Sequence, residues 1–113
     1  MNLATSLAIL FLAAVLEAGG DALMRLGLHA APGRRPLLFV AGALVLFAYG
    51  YTVNAPAWDF GRLLGIYVVF FFVVAQALAW LVFQQKPGTP VLLGGAFIVT
   101  GGIILTAGSR LPL

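Results

Sequence analysis

Residues 63–83 read LLGIYVVFFFVVAQALAWLVF and carry no charged side chain from end to end. The stretch from Val68 to Ala75 does not alternate polar with apolar, so it is neither a half-buried strand nor a barrel strand. At 1.5 Å of rise per residue, a helix of this length reaches across about 30 Å, the hydrocarbon thickness of a bilayer. Three further blocks of the same kind flank it: Leu3 to Leu26, Leu37 to Val53 and Val91 to Ala107. All fit the window of roughly 17–25 residues that a membrane helix needs. Between them stand Pro32, Gly33, Arg34, Arg35 and Pro36; then Asn54, Pro56, Asp59 and Arg62; then Gln84, Gln85, Lys86, Pro87 and Pro90. Each break joins helix stoppers to groups that seek water. The sequence therefore predicts one all-α domain over 1–113, a bundle of four transmembrane helices at about 3–26, 37–53, 63–83 and 91–107.

Composition agrees. Hydrophobic residues are 63% and charged residues 8%, against about 45–50% and about 25% in soluble domains. Mean hydropathy is +1.12. The net charge of +3 is not clustered on one face, which argues against a nucleic-acid partner. The expected setting is the cell (inner) membrane, crossed several times, with lipid as the main neighbour. Met1 to Leu12 lacks the basic start of a signal peptide, so the first block is expected to stay in the mature protein.

Several chemistries lack their residues. Cysteine is absent and His29 is the lone histidine. Disulfides, thiolate metal sites, histidine clusters and Ser-His-Asp triads are therefore excluded. No Gly-rich phosphate loop ends in Lys-Ser or Lys-Thr. The expectation is a non-enzyme with no metal and no cofactor. Basic residues lean toward the side of the first and third connections, with Arg25, Arg34, Arg35 and Lys86 against Arg62 and Arg110. The positive-inside rule then favours both termini outside, by a margin that leaves either orientation, or both, open.

The first block carries the chemistry. Glu17 lies near its middle, Asp21 follows at i+4 and Arg25 at i+8, so all three share one face. Gly19 and Gly20 thin the helix beside them, so that a second backbone or a ligand can approach. Ionisable groups at this depth are expensive, which marks a site. In the plainer reading, Asp21 and Arg25 neutralise each other and Glu17 bonds a neighbouring helix. In the sharper one, Glu17 exchanges a proton for a cation while Asp21 stays ionised beside Arg25. Gln76, an amide at mid-depth, is expected to pair across helices, with Glu17 or with its own symmetry mate.

These residues resemble the small multidrug resistance family of the drug/metabolite transporter superfamily. The stretch Leu16-Glu17-Ala18-Gly19-Gly20-Asp21-Ala22-Leu23-Met24-Arg25 is similar to its helix-one motif, with Glu17, Gly20 and Arg25 on the motif positions. Gly95, Ile98, Gly102 and Ile103 are similar to its fourth-helix dimerisation stripe. The resemblance implies an antiparallel or dual-topology homodimer whose two glutamates bind proton or cationic substrate in turn. Three features depart from the family. Leu64 and Tyr67 stand where its third helix has Tyr and Trp. Val68 to Phe72 replace its Gly-rich segment, and Asp21 replaces a small or hydroxyl residue.

The remaining features sort more simply. Gly94 and Gly95 precede Gly101 and Gly102 by two helical turns, so with Ile98 they predict a dimer interface; packing within one chain is the alternative. Tyr49 or Tyr51 faces a cavity or anchors at the interface, and Trp58, Trp80 and His29 read as interfacial. Phe70, Phe71 and Phe72 point in three directions and read mainly as lipid contact. The expected function is a proton-coupled antiporter exporting small organic cations, with Glu17, Asp21, Tyr67 and Gln76 as its binding residues. The alternatives are a non-transporting scaffold or accessory subunit, and a component of a lipid-linked sugar flippase.

Overall fold

A computed structural model describes residues 1–108. Its regular elements are four helices: α1 (Leu3–Leu28), α2 (Arg35–Val53), α3 (Phe60–Phe83) and α4 (Thr89–Gly108). Each is long and apolar enough to cross a membrane. The helices overrun the expected ends by up to three residues, because their termini are capped rather than merely broken. Asn2 Oδ1 accepts the Thr5 amide at 2.8 Å at the start of α1. Pro36 sits in the first turn of α2, where its missing N–H costs nothing. Gln84 ends α3 in the left-handed conformation at φ 52°, and the Gln85 amide turns back to the Ala79 carbonyl at 2.9 Å.

The helices line up in space as α2, α1, α3, α4, each packing mainly on its neighbours in that order. The result is flat, 56 × 34 × 19 Å. One helix is central. In α1, Ser6, Leu10, Ala13, Gly20 and Gly27 are all buried, and their spacing of three, four or seven residues makes a seam along one side. Glu17 falls in the same series, between Ala13 and Gly20.

Small residues set the two closest approaches. A Cβ on Gly20 would stand 3.3 Å from the Gly42 carbonyl oxygen and 2.7 Å from the Leu46 side chain. A Cβ on Gly42 would stand 3.2 Å from the Gly20 carbonyl oxygen. The backbones of α1 and α2 thus touch where each lacks a side chain, as membrane helices do without a hydrophobic drive between them. The thinning at Gly20 serves this contact within one chain, while Gly19 has no neighbour within 4 Å.

The fourth-helix stripe divides. Gly95 accepts the Phe72 ring and Gly102 accepts Val69, both from α3 of the same chain. These two positions are therefore corrected from a dimer interface to the α3–α4 contact, because the neighbouring helix already fills their notches. Gly94 and Gly101 have no neighbour within 4 Å, and Ile98 is half-buried. The Phe run is half-buried: Phe72 packs on Gly95, Phe71 lies beside Tyr67, and Phe70 lines an apolar groove of about 580 Å³ with Leu3, Leu7 and Val99. Arg62 Nε donates to the Leu105 carbonyl at 3.4 Å and lies 5.0 Å from the Trp58 ring. Arg110, part of the charge comparison between the two sides, lies outside the described residues.

Gly42→Ala is expected to destabilise the protein by about 1–3 kcal/mol, the usual penalty for overpacking. Gly19→Ala, with open space around it, is expected to be neutral or stabilising. Thermal unfolding in detergent, followed by circular dichroism, compares them; equal midpoints would contradict the close approach of α1 and α2.

Candidate functional site

Glu17 sits at mid-length in α1, half-buried in the seam described above. Its partner comes from across the helix interface: the Tyr67 hydroxyl of α3 donates to Glu17 Oε1 at 2.8 Å. Tyr67 is 4% exposed, so this bond is shielded from the surroundings. In hydrocarbon neither group has water to fall back on, which makes such a pairing the natural one between the two helices.

Two more rings complete the cluster. Tyr49 of α2 lies 5.7 Å from Tyr67, centroid to centroid, and Phe71 lies 6.3 Å away on the next turn of α3. Both pairs are tilted, within the range that aromatic side chains favour. Side chains of three helices therefore meet at Tyr67 and its bond to Glu17, in a cluster of three aromatic rings. Tyr51, the other candidate of α2, is 80% exposed and points away. Tyr49 was identifiable in principle, since it falls two turns after Gly42 and shares the face that meets α1.

Two expected pairings do not form. Gln76 makes no hydrogen bond with Glu17; nine residues beyond Tyr67, it lies on the opposite face of α3. Asp21 and Arg25 are not an ion pair either, and among the described residues no Lys or Arg lies within 4.0 Å of an acidic group. Arg25 instead places its guanidinium 5.4 Å from the Phe83 ring centroid. It stands close to the end of α1 and reaches outward, while Asp21 lies a full turn deeper. Both line a groove of about 270 Å³ between α1 and α3, together with Ala18, Phe71, Leu78 and Gln85. Glu17 is thus left without a cation, held by a hydroxyl and faced by rings.

Known proteins of the same kind exist. A UPF0060 membrane protein of Clostridium perfringens is 33% identical over 101 residues, covering 88% of this chain and 89% of the relative. The chain belongs to the UPF0060 membrane protein family. A UPF0060 membrane protein of Clostridium beijerinckii is 29% identical over 112 residues, 97% of this chain and 99% of its own. A third, from Herpetosiphon aurantiacus, is 34% identical over 68 residues, or 58% of this chain; the match spans 62% of that relative's length. No family profile and no solved structure matches the chain. Family membership and the four long apolar helices agree that this is a multi-pass membrane protein.

The carboxylate–tyrosine bond has a spectroscopic signature. Tyr67→Phe removes the hydroxyl and keeps the ring, so the Glu17 carboxyl infrared band, assigned by its loss in Glu17→Gln, is expected to shift. Gln76→Leu is expected to leave that band in place. A band unmoved in Tyr67→Phe would contradict the bond.

Proposed function

We propose that this protein is a proton-coupled secondary transporter that exports small organic cations, with Glu17 binding proton and substrate in turn. The observation that carries the proposal is the Glu17 carboxylate at mid-length in an apolar helix, bonded to the Tyr67 hydroxyl and, among the described residues, with no Lys or Arg within 4.0 Å. A carboxylate in this position is neutralised either by a proton or by a cation from outside the chain. The two compete for the same oxygens, and that competition couples their movements.

The surroundings favour an organic cation. The aromatic cluster of Tyr49, Tyr67 and Phe71 beside the carboxylate favours a quaternary ammonium or guanidinium group, whose weak hydration lets it shed water. A small, strongly hydrated metal ion would find few oxygens here. Tyr67 orients the carboxylate through its hydroxyl, and Tyr49 holds the Tyr67 ring from the α2 side.

We assign the working unit as a homodimer. One chain is flat, so a second copy is needed to close a chamber around Glu17. The exposed face of α4 with Gly94 and Gly101 gives that copy a place to pack closely. The resemblance of Glu17, Gly20 and Arg25 to the helix-one motif of the small multidrug resistance family supports the same reading.

The test is uptake of a quaternary ammonium or guanidinium compound into proteoliposomes under an imposed pH gradient. Glu17→Gln is expected to abolish gradient-driven uptake while the protein elutes as the wild type does. Tyr67→Phe is expected to lower kcat/KM by about tenfold, the effect of one hydrogen bond to a charged group. Tyr51→Phe, outside the cluster, is expected to behave as wild type. Gradient-driven uptake in Glu17→Gln at the wild-type rate would overturn the proposal. So would the absence of uptake of every such cation by a protein that co-purifies with one stoichiometric larger partner, the outcome expected of an accessory subunit.

A further inference from the structure

The groove between α1 and α3 lined by Asp21 and Arg25 adjoins the Glu17–Tyr67 cluster, sharing Phe71 with it, and has its own chemistry. Two opposite charges on one helix face, Asp21 and Arg25, both line it without pairing. An Asp four residues before an Arg is the favourable order for a helical ion pair, so its absence is informative. The Arg25 guanidinium lies over the Phe83 ring, 5.4 Å from its centroid, a contact that uses the flat face of the guanidinium and leaves its in-plane N–H donors for a ligand. Gln85, fixed at the end of α3 by its backbone bond to Ala79, lines the same mouth. The floor is apolar, formed by Ala18, Phe71, Ala75, Leu78 and Ala79.

The location narrows the ligand. Arg25 stands about 4.5 Å along the axis from the last residue of α1, and Gln85 lies just past α3. The groove therefore opens at the membrane boundary, on the side of the two connections that carry Arg34, Arg35 and Lys86. A ligand there must present an anion to Arg25 and Gln85 at the boundary. It must also present a cation to Asp21 one turn deeper, with side-chain origins about 5–6 Å apart. The same ligand must tolerate an apolar floor.

We propose that this groove binds a phospholipid with a primary ammonium headgroup, phosphate on Arg25 and Gln85 and ammonium on Asp21. A phosphoethanolamine headgroup carries both charges at this separation, and its acyl chains continue along the apolar helix faces outside. The primary ammonium donates N–H bonds to the Asp21 carboxylate, which a trimethylammonium does not. An anionic glycerol headgroup serves Arg25 and leaves Asp21 facing a negative charge. The site therefore selects phosphatidylethanolamine over phosphatidylcholine and phosphatidylglycerol of the same chains.

Native mass spectrometry of the delipidated full chain in detergent, titrated with each of the three lipids, tests this. The wild type is expected to retain phosphatidylethanolamine about tenfold better than either other lipid, the scale of one charge-assisted hydrogen bond. Asp21→Asn is expected to erase the preference over phosphatidylglycerol. Arg25→Gln is expected to weaken all three lipids, and Arg25→Lys to restore them in part. Equal retention of the three lipids by the wild type overturns the proposal, and that measurement stands whether or not the variants fold. Preference unchanged in a folded Asp21→Asn also overturns it. Free phosphoethanolamine provides the remaining arm. Competition by it with bound lipid supports headgroup recognition, whereas binding of the free compound with no lipid retained overturns the assignment to a lipid.

Discussion

Hydrocarbon offers no hydrogen-bond partner, and every polar group placed in it must find one inside the protein or be neutralised. That constraint gives the molecule its form. The four helices satisfy their own backbones, so the remaining problem is a handful of side chains. Glu17 meets its need through Tyr67, at 2.8 Å across the α1–α3 interface. The bond holds only because α1 is central, and α1 is central because its seam of Ser6, Leu10, Ala13, Gly20 and Gly27 lets neighbours in closely. The glycines at the α1–α2 crossing bring Tyr49 within reach of Tyr67. Packing and chemistry share the same residues.

The arrangement separates two environments along α1. The Glu17 cluster lies at mid-length of the helix beside three aromatic rings, with no Lys or Arg within 4.0 Å among the described residues. The Asp21–Arg25 groove lies one to two turns toward the membrane boundary, where opposite charges stand apart over an apolar floor. Three charges that share a helix face thus work in different environments. The long arginine side chain reaches outward to Phe83, while the two shorter acids remain where the backbone puts them.

Much of this was legible in the sequence. Length, charge scarcity and proline-bearing breaks define four membrane helices, with ends off by no more than three residues. The depth of Glu17 follows from counting along α1. What periodicity alone does not reveal is which neighbour each helix face meets. Gly95 and Gly102 read equally well as a seam within the chain or between chains; Phe72 and Val69 of α3 decide in favour of the first. Gln76 and Tyr67 are both polar residues of α3, but half a turn of helical phase gives Glu17 only to Tyr67. The i, i+4 spacing of Asp21 and Arg25 predicts an ion pair, whereas the guanidinium lies over an aromatic ring more than fifty residues away in the sequence. Contacts between distant segments carry this information, and local pattern does not.

If one carboxylate holds either a proton or an organic cation, binding of the cation must expel the proton. Proton release on ligand addition tests it most directly. Purified protein in weakly buffered detergent is mixed with guanidinium, quaternary ammonium and polyamine compounds across a range of pH. A bound cation is expected to drive protons into solution from the wild type and none from an intact Glu17→Gln protein. Proton release of equal size from both proteins would contradict it.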